Sequence, residues 1–434
     1  MKTFDDIIPE IKNVLQTHIN DLKQLNKLVI NRDLNGRIRF LVDANIPDNL
    51  KIITEKIAQS IANVLDKRIP DIDRVFYEQD LDTIIEDTPQ FYLEGFPNVL
   101  FIDRLLGETN WGSIQPERPD SKRIVFYSIK GGVGRSTALA VTAWALAEED
   151  KKVLVLDMDL ESPGLSSSLL SPEEAPMYGI VDWLVEDLID NGNAVFPHVF
   201  SSSDLSRNGE ILVVPSYGKN HSEYISKIGR VWMPKINNNN NDNDNDIKRE
   251  SWHARLERLI QELEAKHKPD VVLIDSRAGI DDISSACITN MGANTVLLFS
   301  IDSEQTWDGY KILFEHWRKT GVVEKIRERL QIVGSLIPES NQKEYIGDLC
   351  EHSWDLFTEL LYDKVAPDNI NGDFFSFDKD ETEAPHYPLR VFWNRGFQSL
   401  MNFYRSTEQQ VIREQSKNFY GDLIEFIKGI IKNG

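Results

Sequence analysis

The stretch Ile124–Asp150, IVFYSIKGGVGRSTALAVTAWALAEED, limits the fold more than any other part of the chain. An apolar run, Ile124–Ile129, leads into a turn with glycines at 131, 132 and 134. The helix-forming residues that follow are apolar nearly all round. A strand without polar alternation is buried on both faces. A helix carrying Ala138, Leu139, Val141, Trp144 and Leu146 has little polar stripe to turn to water, so it is wedged against a sheet. Further apolar runs follow, with helical stretches between them: Val153–Leu156, Ile211–Val214, Val271–Ile274, Val296–Phe299 and Ile332–Ile337. This alternation predicts an α/β fold, a doubly wound parallel sheet with helices on both faces.

The turn also predicts an anion site. Glycine allows positive φ and a close backbone approach to a ligand. The helix begins near Ser136, so free N–H groups and the positive end of its dipole face the turn. The Ser136 hydroxyl suits Mg²⁺ and that of Thr137 a phosphate oxygen. From Lys130 to Thr137 the chain reads K-G-G-V-G-R-S-T. This resembles the deviant Walker A loop of the ParA/MinD family of P-loop ATPases, K-G-G-x-G-K-[ST]-[ST], at seven of eight positions.

The resemblance implies a P-loop NTPase domain that takes ATP and Mg²⁺ as cofactors. It implies nucleotide contacts from Lys130, Gly131, Gly132, Val133, Gly134, Arg135, Ser136 and Thr137. Lys130 holds the position of the family's signature lysine, which in relatives reaches across a homodimer to the partner's ATP. Arg135 is the departure, standing where the family has a second lysine. It keeps the positive charge on a bulkier planar fork.

Two strand-end motifs extend the resemblance. The run Val153–Leu156 ends in Asp157-Met-Asp159, similar to the D-x-D switch I element. There Asp157 would support Mg²⁺ and Asp159 would position the attacking water. The run Val271–Ile274 ends in Asp275-Ser-Arg-Ala-Gly279, similar to Walker B running into switch II. Asp275 would hold a Mg²⁺-bound water, and the Gly279 N–H would sense the γ-phosphate. The implied catalytic set is Lys130, Arg135 and Asp159, and the implied metal set is Ser136, Asp157 and Asp275. In open parallel sheets ligands sit beyond the carboxyl ends of the strands, so these ends should converge. Arg277 reads as a salt-bridge partner of Asp281 or Asp282, with an arginine-finger role as the alternative. The implied function is an ATP-hydrolysing switch of slow turnover that controls a partner through ATP-dependent dimerisation. The alternatives are a non-hydrolysing nucleotide-gated scaffold, motivated by Arg135, and a DNA-partitioning ATPase.

Composition bears on partners and compartment. The chain has 48 Lys and Arg against 70 Asp and Glu, a formal charge of −22. Residues 1–120 carry 14 basic and 21 acidic side chains, so neither part of the chain is a basic module. Such a balance is repelled by phosphate backbones and argues against direct nucleic-acid binding. No run approaches the ~18 apolar residues of a membrane span, and the N-terminus lacks a secretory pattern. The two cysteines, Cys287 and Cys350, form no disulfide framework and fit a reducing, cytoplasmic setting. The eight histidines show no zinc spacing.

Residues 1–110 form a small N-terminal α/β accessory domain and the expected seat of an unidentified protein partner. Its pattern predicts a helix over Phe4–Val29, a strand over Ile38–Val42 and a helix over Leu50–Leu65. Strands are expected over Val75–Tyr77 and Val99–Ile102. Residues 111–122, the end of a turn-rich stretch starting at Glu108, read as a linker. Residues 123–434 form the ATPase domain, with a disordered insert at 237–246 (NNNNNDNDND) and a helical C-terminal extension from about 340. The aromatic segment Pro385–Phe397 reads as core. In the last helix, Phe419–Lys432, an apolar stripe of Tyr420, Leu423, Ile424, Ile427 and Ile431 is expected to pack on the ATPase body or a dimer partner.

Overall fold

The chain is described by a computed structural model. It describes residues 3–70, 73–85, 88–105, 109–118, 122–206, 208–237, 248–364, 374–394 and 409–432. Two compact units are present: residues 1–107 with His316–Val322, and Glu108–Glu315 with Val323–Gly434.

The first unit is a five-stranded mixed sheet in the order β3-β2-β1-β5-β4. Its strands are β1 (Leu28–Arg32), β2 (Ile38–Asp43), β3 (Val75–Glu78), β4 (Gln90–Tyr92) and β5 (Val99–Asp103). The helices Ile7–Thr17 and Asp48–Leu65 cover one face, burying Ile7, Ile11, Leu15, Ile57, Ile61 and Leu65 against Ile30, Phe40 and Phe101. The single helix expected over Phe4–Val29 is instead two helices, Ile7–Thr17 and Ile19–Leu22, followed by a strand. Helical structure ends at Leu22, and Leu28–Arg32 becomes a strand paired in parallel with β5. The β-branched Val29 and Ile30 are fully buried between sheet faces, which outweighs their place in a helical period. Ile52, on the expected apolar stripe, is exposed.

The second unit is an eight-stranded sheet in the order β15-β14-β13-β6-β12-β7-β9-β8. Its strands are β6 (Arg123–Ser128), β7 (Lys152–Asp157), β8 (Ser201–Ser202), β9 (Glu210–Val214), β12 (Val271–Ala278), β13 (Thr295–Ser300), β14 (Leu330–Ile337) and β15 (Leu389–Phe392). All neighbours run parallel except β8, an antiparallel edge. One face packs on the helix Arg135–Glu148 and on the C-terminal helix Gln409–Lys432. Tyr420, Leu423, Ile424 and Ile427 of the last helix are buried there beside Phe126 and Phe299. The alternate side chains, such as Val125, Tyr127, Leu154 and Ile274, are equally buried on the other face. There Tyr127 meets Tyr310 of the helix Glu304–Thr320 edge to face. Burial on both faces explains why these strands read as unbroken apolar runs. At the amino end of β6, fully buried Arg123 is tied to Glu257 and Glu264 of the helix Trp252–His267.

Short strands flank the asparagine-rich insert. β10 (Lys235–Asn237) and β11 (Lys248–Glu250) pair antiparallel, and residues 238–247 lie outside the described residues. In the aromatic segment, His386 and Val391 are buried, and Arg390 pairs with Asp422. Residues 395–397 of that segment lie outside the described residues. Among the described residues, no helix is long and apolar enough to cross a membrane.

Candidate functional site

β6 ends at Ser128, and the chain turns through Ile129–Gly134 into the helix Arg135–Glu148. Gly132 and Gly134 have φ of 76° and 80°, values that L side chains rarely adopt. A Cβ on Gly131 or Gly132 would meet nothing within 4 Å, so the loop borders open space. The helix starts at Arg135, with Ala138 N–H donating to Gly134 O at 2.9 Å. Its first-turn N–H groups have no intrahelical partner and face the loop. Ser136 and Thr137 are half-buried, and neither hydroxyl bonds another described residue. Val133 is different. Its side chain is buried in the core cluster, which leaves only its backbone for a ligand.

Arg135 turns away from the loop's open side and toward the strand ends. Its Nε donates to Asp275 Oδ1 at 2.7 Å and its Nη1 to Ser128 Oγ at 3.1 Å. Its Nη2 lies 3.6 Å from Asp159 Oδ2. Register explains the gathering: Asp275 on β12 pairs with Phe126 on one side and with Asp157 on the other. Asp157 is wholly buried. Its Oδ2 accepts from Ser166 Oγ at 2.8 Å and Ser166 N at 3.2 Å, and its Oδ1 has no partner. Burial, with Asp275 beside it, pushes the Asp157 carboxyl up to about 7. Burial also raises Asp159, against the pull of Arg135. Burial alone would lower Arg135, but Asp275, Asp159 and Asp157 hold it above its ordinary value.

Lys130 donates from Nζ to Gln305 Oε1 at 2.5 Å. Gly279 has φ of 98°, but its N–H, expected to sense a phosphate, donates to Ser128 O at 2.9 Å. β12 runs on beside β6 as far as Ala278, so that amide closes the strand pairing in this conformation. Arg277 pairs with Glu161 at 2.7 Å and only distantly with Asp281, at 3.7 Å. The expected pairing with Asp281 is present, and Glu161, on the loop after Asp159, is a second and nearer partner. Sequence reasoning also missed Ser128, Glu161 and Gln305. Ser128 was findable, being a small polar residue at the end of an apolar run just before the loop.

Among the described residues no three His, Cys, Asp or Glu side chains are placed to hold a metal by themselves. The oxygen donors present are the uncommitted Ser136 hydroxyl, the unpartnered Asp157 Oδ1 and the Asp275 carboxylate. Such a set fits a hard cation like Mg²⁺, which usually completes its shell with phosphate and water oxygens.

A model of the CobQ/CobB/MinD/ParA nucleotide-binding domain matches residues 124–342, half of the chain. The chain belongs to this family. The match spans the loop, both strand-end motifs and β14. Solved structures resemble the chain at low identity. Apo McdA of Cyanothece is 18% identical, covering 72% of this chain and 99% of its own, with a TM-score of 0.42. A ParA family ATPase from Chlorobium tepidum is 15% identical, covering 70% and 98%, with a TM-score of 0.43. Pyrococcus horikoshii MinD complexed with Mg-ADP is 23% identical, covering 52% and 73%, with a TM-score of 0.33. No curated protein sequence matches the chain.

Proposed function

We propose that the chain is an ATP-binding, ATP-hydrolysing switch of the cytoplasm, dimerising around ATP·Mg²⁺ to control a protein partner through its N-terminal unit. The observation that carries this reading is the register of β6, β12 and β7. It sets the glycine loop, Asp275 and Asp157 at neighbouring strand ends, with Arg135 between them. A bound Mg²⁺ would neutralise phosphate charge, which is most of what phosphoryl transfer to water needs besides positioning.

The chain's own residues supply the rest. The loop amides and the helix start at Arg135 receive the phosphates. Ser136, Asp157 and Asp275 are the donors for the metal. Arg135 exchanges Asp275 for phosphate oxygens when nucleotide enters. Asp159, half-buried and held by Ser162 N–H at 3.2 Å, orients the attacking water. Lys130 leaves Gln305 to reach the partner's nucleotide.

A second reading, a nucleotide-gated scaffold without hydrolysis, is favoured by the buried Arg135–Asp275 pair, which holds the metal-binding carboxylate closed. Phosphate release by the wild type, Asp159→Ala and Arg135→Lys, with calorimetry of ATP binding, separates the two. Hydrolysis predicts release that falls about 10²-fold or more in Asp159→Ala while binding persists. Equal, negligible release in all three with intact binding establishes the scaffold. Absence of heat with ATP or GTP plus Mg²⁺ removes both. A DNA-partitioning role runs against the formal charge of −22, and ATP-dependent, salt-sensitive DNA retention in a gel shift would restore it.

A further inference from the structure

The stretch read as a linker is bound along the second unit. Thr109 is buried, and its hydroxyl donates to Asp282 Oδ1 at 2.7 Å. Asp282 opens the short helix that follows the Asp275–Gly279 motif. Trp111 lies with its ring 6.4 Å from Tyr127, whose hydroxyl donates to Gly279 O at 3.1 Å. Gln115 N–H donates to Thr289 O at 2.8 Å, and Arg118 N–H to Gly292 O at 3.2 Å. Arg118 also pairs with Glu257. Gly292 has φ of 56°, and a Cβ there would stand 2.9 Å from Pro116 O, so this track admits only glycine. Thr109–Arg118 thus tracks the segment from Asp282 to Gly292 through bonds at Thr109, Gln115 and Arg118, with its amino end fastened just beyond Gly279.

That segment is built to shift. The Gly279 amide is tied to Ser128 O, and four residues earlier Asp275 is held by Arg135. A nucleotide with its metal competes for Asp275 and Arg135, and a terminal phosphate competes for the Gly279 amide. Downstream, Ala286–Asn290 forms a π-helical turn, an irregularity that marks places where a helix can slip by one residue. Thr289, the acceptor for Gln115, lies inside it.

We infer that Thr109–Arg118 is a strap that reads the position of Gly279–Asp282. Its Thr109–Asp282 clasp opens when nucleotide draws that loop toward the phosphates. The strap thereby passes nucleotide state to the chain that precedes residue 109. This inference rests on the nucleotide-switch reading above. Because coupling is reciprocal, a clasp that opposes nucleotide binding must, when broken, tighten it.

The test uses the full chain with the ATP analogue AMPPNP and Mg²⁺, following binding by calorimetry and the strap by amide hydrogen exchange. In the wild type, AMPPNP should speed exchange of peptides covering 109–118, at Gln115 above all. Thr109→Val keeps the side chain's size and removes the clasp. It should speed the same amides without nucleotide and tighten AMPPNP by about tenfold, the scale of one hydrogen bond to a charged acceptor. A merely structural threonine would leave affinity unchanged or weaken it. AMPPNP binding with unchanged strap exchange in the wild type, or wild-type affinity in Thr109→Val, overturns the strap and leaves the switch reading standing. No AMPPNP binding in the wild type overturns both.

Discussion

Arg135→Ala should strongly destabilise the nucleotide-free protein, and the structure sets the scale. Asp275 is 1% exposed and Arg135 8% at their side chains, with 2.7 Å between Nε and Oδ1. Removing the guanidinium leaves Asp275 buried beside Asp157 with no cation, and it strips Ser128 Oγ of its donor. Removing one partner of a buried ion pair costs about 3–5 kcal/mol, far more than losing a surface pair, because the remaining charge is stranded. The variant is relieved only of the guanidinium's own desolvation.

The assay is urea unfolding at pH 7.5 without nucleotide or Mg²⁺, urea being chosen so that salt does not screen the pair. Tryptophan fluorescence suits it, since all nine tryptophans lie at or beyond residue 111. Arg135→Lys should fall between, because one ammonium cannot serve Asp275, Asp159 and Ser128 together. Arg135→Ala combined with Asp275→Ala should lose less than the sum of the two changes. A loss below about 1 kcal/mol for Arg135→Ala would refute the argument, since even a modest buried pair exceeds that value.

Two further outcomes follow from burial. The Asp157 carboxyl is raised to about 7, so the folded protein holds a proton there that the unfolded chain releases near pH 4, and stability falls as pH rises through that window. Asp157→Asn abolishes this titration and keeps an acceptor for Ser166, so it should stabilise the nucleotide-free protein by about 1–3 kcal/mol at pH 8 and by much less at pH 5. Equal effects on the urea midpoint at both values would refute it. Leu423, fully buried in the C-terminal helix, should cost about 2–5 kcal/mol when changed to Ala, because that helix is part of the main core. A thermal transition unmoved by Leu423→Ala would make the helix an ornament.

How much of this was legible in the residues depended on how local the cause was. The glycine loop, both strand-end motifs and the parallel sheet could be read because each is encoded within about ten residues. Burial on both faces writes itself as an unbroken apolar run. The strand Leu28–Arg32 was hidden, because its apolar residues also fit a helical period and only pairing with Val99–Asp103 decides between them. The strap was hidden for the opposite reason. Two prolines, one glycine and many polar residues look like a free linker, and nothing local says that Thr109 has a carboxylate 173 positions away. Arg277 was half legible: Asp281, four positions away, does pair with it, but Glu161 is near only in space.

The substitution at 135 need not be a defect, and charge shows why. Asp157, Asp159 and Asp275 converge where little water reaches, and Arg135 is the one basic side chain paired to Asp275 and Asp159 among the described residues. With all three acids ionised the group carries a surplus of two negative charges. The protein's partial answer is to hold a proton on Asp157. The group is therefore short of positive charge as it stands, which is the condition under which a divalent cation is attracted rather than merely tolerated. In the nucleotide-switch reading proposed above, Arg135 keeps that group folded until a cation and phosphates arrive together. It then has two places to go with one charge: the carboxylates it leaves or the phosphates it joins. A guanidinium, with donors on three nitrogens, can bridge both during the exchange, where a lysine ammonium would have to let go of one to reach the other.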